Sequence, residues 1–182
     1  MDSCIIVESD TATDSIHRYG KYSNRIKDLS INRIEQVWVS DVTYIRVRDG
    51  FYFLSLVTDA YSRKIVGYCL CPMLEAQGPL SALRMAISNL SKPPEELIHH
   101  SGRGIQYCCD QYIEELQLYC IESSMTENGD PRENAIAEGL NGILKKHFGL
   151  KKRFSSPDEA KVAVDRAVRG YNNIRPHQVY QC

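Results

Sequence analysis

The run of residues 37–72 limits the fold most. Three segments rich in β-branched and aromatic residues follow one another with almost no chain between them: VWVSDVTYIRV (37–47), FYFLSLVTDAYS (51–62) and KIVGYCLCP (64–72). That composition marks strands, and RDG at 48–50 is a hairpin turn signal. Consecutive strands joined this tightly must be antiparallel neighbours, because a parallel crossover needs a dozen or more residues. The core therefore starts as an antiparallel meander.

After the meander the period changes. LEAQGPLSALRMAISNL (74–90) carries Leu80, Leu83, Ala86, Ile87 and Leu90 at helical spacing. ELIHHS (96–101) is expected to be a fourth strand, DQYIEELQLYC (110–120) a helix and IESSMT (121–126) a short fifth strand. Two helices then open on capping signals. Asp130, Pro131 and Glu133 form the first, and Ser156, Pro157 and Glu159 the second. The last helix is expected to bury Ala160, Ala163, Val164, Ala167, Val168 and Tyr171.

The order β-β-β-α-β-α-β-α-α predicts an α/β fold. Its mixed five-stranded sheet has three antiparallel strands and two parallel ones, with helices on both faces. This is the ribonuclease-H-like arrangement. Residues 1–33 are polar and without steady period, and are expected to drape over the core or to be partly disordered. The core domain is placed at 34–178, with a short tail at 179–182.

Composition narrows the class. The chain has 182 residues, 43% hydrophobic and 25% charged, as a one-domain globular protein should. No apolar run approaches a membrane span and no secretory signal opens the chain. Seven cysteines without an export signal fit reduced thiols and a cytoplasmic setting. The net charge of −1 does not announce a nucleic-acid binder, but KKHFGLKKR (145–153) concentrates five basic residues and a histidine. Those side chains suit either a solvated helix end or phosphate contacts.

Three positions suggest chemistry. Asp41 lies within an apolar strand, where a carboxylate costs free energy unless it is paired, capped or bound to metal. Thr43 or a backbone N–H could serve as the cap. Glu138 shares a projected helix face with Asn134, Asn141, Gly142 and Lys145, opposite Ile136, Leu140 and Ile143. That face suits solvent, or a metal with phosphate beside it. The strand tip at HHSGRG (99–104) presents Gly102, and residues 103 to 137, 35 in number, separate it from Glu138.

The motifs WVSDVTYI, LVTDAYSRKIVGY, HHSGRGIQYCCDQY, SMTENGDPRENAIAEGLNGILKKHF and AVRGYNNIRPHQ occur in that order. Together they resemble the integrase core of bacterial insertion-sequence transposases of the OrfB type, within the DDE polynucleotidyl transferases that include retroviral integrases. The resemblance covers roughly residues 35–178. It implies DNA strand cleavage and transfer with two Mg²⁺ or Mn²⁺ ions, Asp41 as the first and bridging acid, and Glu138 as the third. The family's second acid falls at Gly102, within His-Ser-Asp-Arg-Gly in the pattern and His100-Ser101-Gly102-Arg103-Gly104 here. Loss of one of three crowded carboxylates should relax the metal-free site while impairing the chemistry.

Neighbouring groups are poor substitutes for the missing acid. His100 is a poor Mg²⁺ ligand, Asp110 suits an N-cap, and Asp59 suits a turn cap or an Arg63 pair. Arg103, Asn141, Lys145, Lys146, Lys151, Lys152 and Arg153 are candidate DNA contacts, Tyr171 a core residue, and Arg175 and His177 candidates to reach back toward the site. The resemblance implies DNA as partner, a homodimer or higher multimer, and a bacterial, nucleoid-associated location without membrane. The alternatives are a non-catalytic DNA-binding or assembly module derived from a transposase, and a general ribonuclease-H-type nuclease.

Overall fold

The computed structural model describes residues 22–127 and 134–174. The meander forms as expected from β1 (Val37–Val47), β2 (Gly50–Asp59) and β3 (Ile65–Cys71). Helix α1 (Gln77–Ser88), strand β4 (Ile98–Ser101), the single-turn helix α2 (Ile105–Cys108), helix α3 (Asp110–Leu118) and strand β5 (Glu122–Met125) follow. Helices α4 (Ala135–His147) and α5 (Pro157–Ile174) close the order. The sheet order is β3-β2-β1-β4-β5. Strands β1–β2 and β2–β3 pair antiparallel, and β1–β4 and β4–β5 pair parallel. This is the ribonuclease-H-like sheet that the sequence implied.

Side-chain alternation divides the sheet into two faces. Trp38 and Val42 pack with Leu80, Leu83, Tyr107, Tyr112 and Leu116 from α1, α2 and α3. Ile45, Val47, Leu54 and Leu56 pack with Leu140, Leu144, Val164, Val168 and Tyr171 from α4 and α5. Burying a large aliphatic or aromatic side chain contributes about 1.5–3 kcal/mol, so the two clusters fix both helical layers on the central strands. Tyr22, Ile26, Leu29 and Ile31 also pack against buried cores, and Arg25 bonds Ser124 Oγ through its backbone N–H at 2.9 Å.

Local signals explain the ends of α5. The Glu159 N–H donates to Ser156 Oγ at 3.1 Å, as an N-cap should. The Glu159 carboxylate does not close a box on Ser156. It accepts instead from the Ser155 N–H and hydroxyl, at 2.8 and 2.7 Å. Those bonds hold its pKa down to about 2, with Lys152 adding to the effect. Of the face expected to be buried, Ala160, Val164, Ala167, Val168 and Tyr171 are buried and Ala163 is only partly so.

One expectation about helix starts needs correction, and one lies outside the described residues. Asp110 does not cap α3; it is the first helical residue, Cys109 is the cap residue, and no side-chain cap bond forms. The short turn α2, which sequence periodicity did not signal, leaves Cys109 extended and displaces the start. The Asp130-Pro131-Glu133 device lies outside the described residues, and α4 runs from Ala135.

Candidate active site

Strand β1 carries Asp41 one residue past the point where β4 leaves it. The parallel register ends at Ser40↔Ser101. Gly102 follows Ser101 directly, so Asp41 on β1 and Gly102 after β4 are each one residue past the end of that register. A Cβ built on Gly102 meets nothing within 4 Å.

Asp41 faces α4. Its Oδ2 accepts from Asn141 Nδ2 at 2.7 Å. About two turns earlier, Asn134 Nδ2 donates to the Ser40 carbonyl at 3.2 Å. Two amides thus tie α4 to the backbone and side chain of adjacent β1 residues. This corrects the expected helix face. Asn134 and Asn141 are buried with Ala137, Leu140 and Leu144, while Ile136 and Ile143 are only partly buried. The polar residues face the sheet because they have partners there, and a projection of α4 alone does not contain those partners.

Electrostatics mark Asp41 as unusual. Burial pushes its pKa up from the ordinary 3.8 to about 6; the Val42 N–H lowers it, Glu138 raises it, and Asn141 and Lys145 lower it. Glu138 sits on α4 three residues before Asn141, exposed, and close enough to act on Asp41 through its charge. Lys145 is half-buried, with its pKa lowered chiefly by burial and raised by Asp41. Its Nζ lies 4.0 Å from the Tyr44 ring centroid. Asn141 thus bonds Asp41, and Glu138 and Lys145 act on it through their charges. Among the described residues no three of His, Cys, Asp and Glu converge as a metal cluster.

The neighbouring candidates have other roles. His100 is buried and its Nδ1 lies 2.9 Å from Ser124 Oγ. Asp59 caps its turn: Oδ1 accepts from the Ser62 N–H and hydroxyl at 2.7 and 2.8 Å, and Oδ2 from the Glu35 N–H at 2.7 Å. Lys152 pairs with Glu159 at 3.2 Å and Arg153 with Asp49 at 3.8 Å. Lys146 and Lys151 are exposed and Arg103 is part-buried next to Gly102. Arg175 and His177 lie outside the described residues.

Sequence reasoning missed a buried polar group behind the acid. His99 Nε2 lies 2.7 Å from Ser40 Oγ and 2.9 Å from Tyr112 Oη. Burial depresses the His99 pKa to about 3, with His100 adding to it. His99 on β4 thus braces Ser40, the residue next to Asp41. Only the position of two histidines in an otherwise apolar strand hinted at it.

Comparison with known proteins agrees with this fold. The Integrase core domain model matches residues 32–131, and a second model of the same description matches 119–181. A 31 kDa protein of insertion element IS600 from Shigella sonnei is 34% identical over 143 residues, covering 78% of this chain and 52% of that protein. The transposase for IS629 of the same organism is 32% identical, covering 79% and 48%. The InsF transposase of IS3A from Escherichia coli K12 is 32% identical, covering 78% and 49%. The chain spans about half the length of the curated relatives it matches. Among solved structures, the catalytic core of HTLV-2 integrase in complex with magnesium superposes with a TM-score of 0.61 at 22% identity, over 78% of this chain and 89% of that one. A simian T-cell lymphotropic virus intasome chain superposes with a TM-score of 0.65 at 18% identity, over 93% and 58%.

Proposed function

Since the chain belongs to the integrase core family, as an OrfB-type transposase catalytic core of the DDE superfamily, we propose that it acts on DNA strands at insertion-element ends and is impaired by glycine at position 102. The catalytic unit is residues 34–178, with 22–33 strapped onto it.

The observation that supports this is the charge interaction of Glu138 on α4 with Asp41 on β1, one residue past the end of the β1–β4 register, with open space at Gly102 where that register's other strand ends. Their hard carboxylate oxygens fit Mg²⁺ or Mn²⁺, and the half-buried Asp41 has a raised pKa of the kind found at functional carboxylates. Asp41 and Glu138 would hold one cation; a second would lack its acid at Gly102. When bound, such ions stabilise the charge that develops on a phosphodiester and on the attacking oxygen. The chain's own residues set the rest. Asn141 holds the Asp41 carboxylate in a fixed orientation. Asp41, with a pKa near 6, is ionised at neutral pH and able to exchange the amide for a ligand. Lys145 places positive charge where a phosphate would arrive. Arg103, Lys146, Lys151, Lys152 and Arg153 supply further phosphate contacts that carry no sequence information.

The partners under this proposal are DNA and further copies of the chain, and the setting is the bacterial cytoplasm at the nucleoid. No helix among the described residues is long and apolar enough to cross a membrane.

The test is Mg²⁺- or Mn²⁺-dependent nicking and strand transfer on element-end DNA by the chain and by Gly102→Asp. The Asp variant should be at least 100-fold more active. Equal activity would overturn the impairment, and inactivity of both would favour a non-catalytic DNA-binding or assembly module.

A further inference from the structure

We propose that Tyr44 and Phe51, with Lys145 and Arg46 beside them, form a platform on which unpaired nucleotides dock as a DNA strand enters the Asp41 site. This deepens the DNA function proposed above and rests on it.

The platform lies at the turn end of the β1–β2 hairpin. Tyr44 and Phe51 meet edge to face, with centroids 5.3 Å apart and planes at 83°. They are 46% and 52% exposed, so neither ring serves the core. Arg46 stands opposite Phe51 in the strand register and is itself exposed. Tyr44 and Arg46 differ by two positions, so their side chains share one face of the strand. Lys145 comes from α4 across the sheet, places Nζ 4.0 Å from the Tyr44 centroid, and feels the charges of both Asp41 and Arg46. One cation therefore connects the acid site to the exposed rings.

The edge of β1 leaves room for a strand to run between them. Strand β4 covers β1 only over Val37–Ser40. Farther on, an isolated bridge from Val47 to Phe154 is the next cover among the described residues. Tyr44 is three residues from Asp41, about 10 Å at the rise of a strand, and by alternation it stands on the other face of the sheet, so the path between them turns round the uncovered edge of β1. At about 3.4 Å per stacked nucleotide, that distance is about three nucleotides along one DNA strand.

Charge and ring geometry select the occupant. The rings are flanked by Lys145 and Arg46, and the hairpin-tip carboxylate Asp49 is turned to Arg153, 3.8 Å away. Such a patch complements a polyanion. Bases within a duplex are stacked on each other and offer only edges, whereas unpaired bases offer faces to aromatic side chains and to cations. The rings therefore favour unpaired over paired nucleotides near the strand end, without regard to base identity.

The test measures binding of the chain to two fluorescein-labelled DNAs by anisotropy: a 16-base-pair duplex, and the same duplex with four unpaired thymidines at one end. The wild-type chain should bind the frayed DNA more tightly. Phe51→Ala and Tyr44→Ala should each weaken frayed-DNA binding about tenfold and duplex binding less than twofold, with the salt slope unchanged. Phe51→Trp should restore the preference, which a merely structural role would not predict, and circular dichroism melts identify any variant that fails to fold. Equal losses on both DNAs, or no loss with Phe51→Ala, would overturn the platform while leaving the DNA function intact. A chain that binds neither DNA would overturn both. Sedimentation of the same samples gives one more outcome: if Phe51→Ala dissociates a multimer and leaves DNA binding unchanged, the rings are a contact between copies and the platform is wrong.

Discussion

Asn141 on α4 donates from Nδ2 to Asp41 Oδ2 on β1 at 2.7 Å, so a helix amide holds the strand carboxylate at the end of its register with β4. The other amide atom, Asn141 Oδ1, is buried and makes no hydrogen bond. The contact is therefore half-satisfied, and the strand acid bears the cost of its own burial.

That cost should show in stability. The folded Asp41 pKa is about 6 against an ordinary 3.8. Between those values the folded chain holds the proton more tightly than the unfolded chain, so stability falls as pH rises from 4 through 6 and stays reduced above. Asp41→Asn removes the charge, and the new amide can donate to Asn141 Oδ1. The variant should be about 1–3 kcal/mol more stable at pH 7.5, with the gain shrinking toward pH 4. Urea unfolding at the two pH values measures it.

His99 acts in the opposite direction in the same window. Its folded pKa is about 3 against an ordinary 6.5. The folded chain binds fewer protons there, so this group's stability is present at neutral pH and is lost as pH falls below 6.5. By pH 4 the loss should reach about 3 kcal/mol, as an order of magnitude. His99→Gln should be less stable than the parent at pH 7, through its contacts to Ser40 and Tyr112, yet should flatten the acid side of the stability profile. Chemical denaturation from pH 7 to 4 separates the two residues when run on both variants.

Strand β3 is an outer strand of the sheet, and one side chain closes its beginning. Asn172 Oδ1 accepts from the Ile65 N–H at 3.0 Å, and Asn172 Nδ2 donates to the Ile65 carbonyl at 2.9 Å. The amide does what a neighbouring strand would do. Asn172→Ala should cost about 1–3 kcal/mol. Asn172→Asp should cost more, because a carboxylate cannot donate to that carbonyl. Thermal melts of both variants decide the order.

Gly102→Asp should fold, because a Cβ there meets nothing within 4 Å. If the proposed cation site is right, the added carboxylate would stand near Asp41 and Glu138 without metal, and like charges at a site repel. The variant should melt lower than the parent by about 1 kcal/mol in chelator and recover in 10 mM Mg²⁺, since ligand binding to the folded state alone stabilises it. A variant that melts equally with and without Mg²⁺ would contradict the proposed cation site.

The sheet was legible in sequence for a physical reason. Short connections forced the first three strands to be antiparallel, and the helix-period segments between later strands forced crossovers. The RDG turn, the Ser156 cap and the α5 core stripe are local signals read within a few residues. The α4 face was not legible. Asn134 and Asn141 are polar yet buried, because their partners, the Ser40 carbonyl and the Asp41 carboxylate, lie on a strand about 100 residues earlier. Likewise, His99 gains its meaning only from Ser40 and Tyr112 across the sheet. Asp41 and Glu138 were legible as candidates through the motifs around them, and the charge effect of Glu138 on Asp41 comes from α4 docking on β1.

The most direct test of the account is a count of Mn²⁺ bound by the chain, using paramagnetic resonance of free Mn²⁺ at pH 7.5, in the parent, Asp41→Asn and Gly102→Asp. The account predicts one weak site in the parent, none in Asp41→Asn and two in Gly102→Asp. Unaltered Mn²⁺ binding in Asp41→Asn, or the same count in the parent and Gly102→Asp, would contradict it.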